Sequence, residues 1–153
     1  MTDVTYVKIL GVYLDKSLSI EQHNAVVSKS CFNQIRNIGR IRSYITDSAC
    51  NTLVCPLITS RLDYGNALLY GVNASALAEL QRVQNTAARL IARRKKYDHI
   101  TPVLIELHWL PVKFRCEYKL LVYVFKSLHG IAPVYLHDLL TTSRQDHCDQ
   151  KIV

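Results

Sequence analysis

HITPVLIELHWLPV, His99 to Val112, carries the only tryptophan of the chain and two of its four prolines. Such a stretch suits a ligand pocket, a metal-binding elbow or a packing device. Its grammar is helical. Thr101-Pro102 and Leu110-Pro111 both read as helix starts, because proline fits the first helical position, where its missing N–H removes no hydrogen bond. The stretch predicts a short helix from Pro102 to about His108, a tight corner at Trp109, and a longer helix from Pro111 to Leu128 closed by Gly130. Ala132-Pro133 then opens a last short helix to Leu140. His108 reads as a packed or surface residue and not as a base, since no Ser or Cys nucleophile lies beside it.

Working back towards the N-terminus, Leu80, Val83, Ala87, Leu90 and Ile91 repeat at helical spacing after a turn at Gly71 and Asn73. Thr46-Asp47-Ser48 opens another helix through Leu53, Leu57 and Leu62 towards Leu69. Pro56 should kink it by removing a donor and crowding the preceding turn. Ile20, Val27, Cys31, Ile35, Ile38 and Ile45 fall on one face of a first helix, with capping-box spacing at Ser19 and Gln22. Before it, Val4 to Leu14 is β-branched and aromatic and is broken by Gly11, as in a strand or hairpin arm. The expected fold is mainly α, a helical bundle with a short N-terminal β strand or hairpin stub. Residues 1–18 form the β part, 19–140 the helical domain and 141–153 a polar tail.

At 153 residues and 49% hydrophobic, the chain suits one domain with its own core. The longest apolar run, Leu120 to Phe125, is far short of the ~20 residues that span a bilayer, and the first ten residues lack a signal peptide's features. An intracellular, nuclear or cytoplasmic chain is expected, with no membrane partner. The five cysteines form no CxxC pair and their odd number suits reduced thiols. No HxxxH or HExxH appears, and His147-Cys148 has no second ligand pair near it, so neither metal nor cofactor is expected. Without an Asp-Asp pair, DxD, Walker loop, GxGxxG or GxSxG, no catalytic residues are assigned. Arg61 and Asp63 point to different sides of a helix, so each should bond a neighbouring helix.

The charge is more informative. A net +7 and a pI near 9.3 favour an anionic partner. At about 100° per residue, Lys29, Arg36 and Arg40 share one face of the first long helix. Arg82, Arg89, Arg93 and Lys96 share a face of the third. Arg115, Lys119 and Lys126 share a face of the Pro111 helix, opposite Leu121, Phe125 and Leu128. Ten of the nineteen basic residues thus lie on three stripes that contain no acid, and these are the candidate nucleic-acid contacts. Each stripe has a plainer reading as a solvated face. Arg93 to Lys96, RRKK, suits either nucleic-acid contact or the negative end of a helix dipole.

The ordered phrases of the chain resemble one family. Leu10-Gly11-Val12 with Leu14-Asp15 and Leu18, Thr59 to Tyr64 (TSRLDY), Leu68 to Gly71 (LLYG), Leu80 to Asn85 (LQRVQN) with Ala87-Ala88-Arg89, and His99 to Val112 are similar, in order, to the C-terminal part of non-LTR (LINE-type) retrotransposon reverse transcriptases. The likeness covers about Val7 to Leu140. It implies that LGV-x-LD is a primer-grip remnant and that the helices after it are a thumb holding template–primer. It also makes His99–Val112 a thumb corner and not a pocket. The palm and fingers of the parent RNA-directed DNA polymerase, with the metal-binding aspartates, would be separate partners. Gly65 stands where relatives often carry Cys. The resemblance implies a non-catalytic fragment with weak, sequence-independent contact to RNA or an RNA–DNA duplex backbone. A helical protein-interaction module derived from the same element is the alternative.

Overall fold

The computed structural model describes residues 6–16, 20–138 and 140. The readings for Val4, Leu18, Ser19 and the tail 141–153, including His147-Cys148, lie outside the described residues. The fold is mainly α with a two-stranded antiparallel hairpin at the front.

Strands β1 (Tyr6–Ile9) and β2 (Val12–Asp15) pair from Tyr6↔Asp15 to Ile9↔Val12. Leu10 and Gly11 both have positive φ, 47° and 86°, the backbone that matches a tight turn to the twist of its strands. β1 is exposed throughout, whereas Val12 of β2 enters the core. The Tyr64 hydroxyl donates to the Leu10 carbonyl and so pins the hairpin turn to the helical body.

Helix α1 (Glu21–Ile41) starts after Ile20, with no side-chain cap. It buries Cys31, Ile35 and Ile38 as the periodicity predicts. Ile45 does not extend that face: a 3-10 turn at Arg42–Tyr44 ends the helix, and Ile45 is extended and half-buried. Thr46 accepts from the Ala49 N–H at 3.2 Å and caps α2 (Asp47–Val54), as its position in the sequence predicts.

Pro56 leaves its mark where it stands. The chain widens into a π turn over Cys55–Thr59 before α3 (Ser60–Asp63). A wider turn lets the chain keep coiling without the N–H that proline lacks. The Ser60 hydroxyl donates to the Pro56 carbonyl. Ile58, inside this turn, is fully buried. Gly65 then takes φ +68°, so a left-handed backbone fits glycine there better than any residue with a Cβ. A 3-10 turn over Asn66–Leu69 and an Asn73 cap, accepting from the Ala76 N–H at 2.9 Å, lead into α4 (Ala74–Ile91).

Leu80, Val83, Ala87 and Ile91 of α4 pack against α1 and against Cys50, Val54, Ile58 and Leu62. Each such aliphatic side chain contributes about 1.5–3 kcal/mol on burial. Helix α5 (Thr101–Glu106) begins with Pro102 in its first turn, and α6 (Val112–Leu128) begins just after Pro111. At the corner between them His108 has φ 55° and the Trp109 N–H donates to the Leu104 carbonyl at 2.8 Å. Two glutamines lock the corner to α4. Gln84 Nε2 donates to the Leu110 carbonyl, and Gln81 Oε1 accepts from the Val112 N–H, each at 2.8 Å.

Trp109 and Leu107 are partly buried and pack against two groups, the main core and the small cluster of Ala88, Val103 and Leu104. Leu110, beside them, is 50% exposed.

The chain forms two compact units, Met1–Cys116 and Glu117–Val153. The second holds the rest of α6 and a helical segment over 134–138. Leu121, Phe125 and Leu128 are exposed, not inward as the stripe pattern predicts. Val112 and Cys116 set the register of α6 by entering the core, and Leu121 lies about 180° around the helix from Val112. No described helix is long and apolar enough to cross a membrane.

Candidate nucleic-acid interface

The basic residues meet three different fates. On α1, Lys29, Arg36 and Arg40 are exposed, and Arg36 makes a 3.4 Å bond to Asn33. The three share one exposed face of α1. On α6, Arg115 donates to Asp63 at 2.8 Å and is part-buried, which removes it from the free charge. Lys119 is exposed and sits 5.5 Å from the Tyr123 ring, and Lys126 is exposed. Arg61 donates to Ser30 of α1, so Arg61 and Asp63 each bond a neighbouring helix, as their spacing requires.

The stripe on α4 is broken by the end of the helix. Arg82 and Arg89 lie on α4, but the helix stops at Ile91 and Arg93 has φ 51°. Arg93 and Lys96 therefore follow no 100° rule. The run after the helix turns back instead: the Arg94 N–H donates to the Arg89 carbonyl at 3.0 Å, and the Lys95 N–H to Asp98 Oδ2 at 2.8 Å. This fold-back gathers Arg89, Arg93, Arg94 and Lys96 with Arg42 around a concavity of about 490 Å³, floored by Ile35 and Leu90.

Arg42 was invisible to the stripe reading and is the keystone of this site. It is buried, and donates to the carbonyls of Leu90 at 2.8 Å and Ile91 at 2.7 Å and to that of Ile45 at 2.9 Å. A cation from a distant segment thus satisfies the end of α4, so RRKK is not what caps these carbonyls. Arg42 also donates to Asp47. Arg93 completes the network with a 3.2 Å bond to Asp47 and a 3.0 Å bond to the Ile45 carbonyl. Hydrogen bonds from Arg42 and Arg93 hold the Asp47 carboxyl below its ordinary 3.8. Two of the five cations are therefore structural and share one carboxylate.

Arg89, Arg94 and Lys96 remain for a ligand. Arg89 is half-buried, and its Nε has no partner among the described residues, while one of its terminal nitrogens reaches the Asp98 carbonyl at 3.4 Å. Arg94 and Lys96 are exposed. Lys96 Nζ sits 5.7 Å from the Tyr97 ring, and none of the three shares the Asp47 carboxylate, so their charge can meet phosphate oxygens. Arg94 could have been found from RRKK itself; the signal that was missed is that a run after a helix end converges where a helix face would diverge.

Chemistry is otherwise sparse. Burial pushes the Cys31 thiol up to about 11 against the opposing pull of Arg61, and raises Cys50 as well. Neither is a nucleophile at neutral pH. Among the described residues no group of three or more His, Cys, Asp or Glu could hold a metal ion. Comparison of the chain with protein-family models, curated proteins and solved structures yields no match.

Proposed function

We propose that this chain is a piece of a non-LTR retrotransposon reverse transcriptase, from the primer-grip and thumb portion. Its role is to hold the backbone of RNA or an RNA–DNA duplex inside the cell, in the nucleus or cytoplasm. The ordered phrases in the sequence supply the ancestry. The observation that carries the binding role is the convergence of Arg89, Arg94 and Lys96 on one hollow, with Arg42 and Arg93 behind them. Such contacts neutralise phosphates and read no bases, so binding is weak and sequence-independent. Phosphoryl transfer is assigned to the palm and fingers of the parent polymerase, because two-metal chemistry needs paired carboxylates that these residues do not supply.

The expected result is that two short RNA–DNA hybrids of unrelated sequence bind at low salt with affinities within about twofold of each other, followed by fluorescence anisotropy. A strong preference for one sequence, or no binding, would refute the reading. A second reading, a helical protein-interaction module, has its own support. Tyr118, Leu121, Phe125 and Leu128 are all exposed along α6, at spacings of three and four residues. A partner bound there would be nearly indifferent to salt.

A further inference from the structure

The hairpin, α1 and the segment around α3 line a second concavity of about 450 Å³, which shares no residue with the basic hollow beside α4. Its volume falls in the range of small-molecule sites. Lys8, Tyr13, His23, Ser30, Arg61 and Tyr64 are among its lining residues, and none of the lining residues is an acid. Lys8 Nζ sits 5.3 Å from the Tyr13 ring, and the Arg61 guanidinium is oriented by its bond to Ser30. The two tyrosine rings and the valines of α1 give the hollow flat, apolar walls.

His23 is the second, independent observation. It is 8% exposed, its ring lies 6.4 Å from that of Tyr13, and its Nδ1 has no hydrogen-bond partner among the described residues. Buried polar atoms are nearly always paired; His23 lines both this hollow and a small cavity of about 10 Å³ beside Asn24, and its free nitrogen is open to a ligand's polar edge.

We propose that this concavity binds a small aryl anion, a flat ring carrying one phosphate or carboxylate. Arg61 and Lys8 hold the anion, Tyr13 and Tyr64 flank the ring, and His23 Nδ1 meets its polar edge. Cations supply charge-assisted bonds and the rings supply stacking, so each half of the ligand contributes.

Nuclear magnetic resonance titration of the whole chain tests this with four probes: phenyl phosphate, benzoate, inorganic phosphate and benzyl alcohol. Phenyl phosphate or benzoate should saturate, shifting the His23 ring nitrogens and the amides of the hairpin and of α1 around His23. Which of the two binds more tightly identifies the anion. Inorganic phosphate and benzyl alcohol should each bind about tenfold more weakly or worse. Lys8→Gln, at an exposed position, should leave the fold intact and weaken the aryl anion about tenfold; Arg94→Gln should leave it unchanged. The proposal is overturned if neither aryl anion saturates, if inorganic phosphate binds as tightly, if Lys8→Gln has no effect, or if the shifts cluster around Arg94 and Lys96.

Discussion

Arg42 shows how one side chain can join three parts of a fold. Its guanidinium spans the end of α4, the Ile45 carbonyl and Asp47 of α2. Removing it strands carbonyls that water reaches poorly, and each such group costs about 1–3 kcal/mol. Arg42→Met should therefore lower stability by about 3 kcal/mol in urea denaturation. Arg93→Met should cost far less, because the Arg93–Asp47 pair is more than half exposed on both sides. Equal costs for the two variants would contradict the keystone role.

On the acid side, His23 and Asp47 each contribute to the pH response. Burial holds His23 below its ordinary 6.5. The unfolded chain therefore takes up that proton first, and stability present above 6.5 is lost as pH falls below it. Asp47 is depressed by Arg42 and Arg93; its contribution holds above 3.8 and is lost as pH falls further, through its folded value. His23→Gln should flatten the upper step in melting temperature against pH, and Asp47→Asn the lower one. A variant that left its step in place would assign that step to another group.

Among the elements, the corner between α5 and α6 depends on an indole that bridges two apolar clusters. Trp109→Ala should cost about 3 kcal/mol, the low end for a large aromatic because the residue is only partly buried. Trp109→Phe should cost much less, and nucleic-acid affinity should survive in both wherever they fold. Loss of binding without loss of stability would make Trp109 a stacking platform instead. This corner was legible in the sequence because its two prolines fix helix starts by local chemistry. The hairpin, the Thr46 cap and the α1 and α4 core faces were legible for the same local reasons: turn residues, a hydroxyl and a 3.6-residue period. The Gln81 and Gln84 clamps were not. A glutamine's partner is chosen by tertiary position, and here both partners are backbone groups about thirty residues away.

For the whole molecule, the sequence's charge total favours an anionic partner, but its helical stripes did not mark out the basic hollow beside α4. A 100° projection holds only inside a helix, so it placed Lys29, Arg36 and Arg40 correctly and misplaced Arg93 and Lys96, which follow the end of α4. It also ignores acids from other segments, and Asp47 and Asp63 take up Arg93 and Arg115. The reading of α6 failed for a related reason: the sequence pattern marked only the face of Leu121, Phe125 and Leu128 as apolar, whereas the core takes Val112 and Cys116. What folding adds is a hollow made from one helix end and the run that folds back on it.

The salt dependence of RNA–DNA hybrid binding tests that hollow most directly. With about three to four phosphates neutralised, the slope of log affinity against log salt should be roughly −3 to −4. Arg94→Gln with Lys96→Gln should flatten it by roughly 2 while the melting temperature stays put, because neither side chain belongs to the Arg42 network. A slope near zero in the parent chain, or an unchanged slope in the double variant, would contradict backbone binding at this hollow.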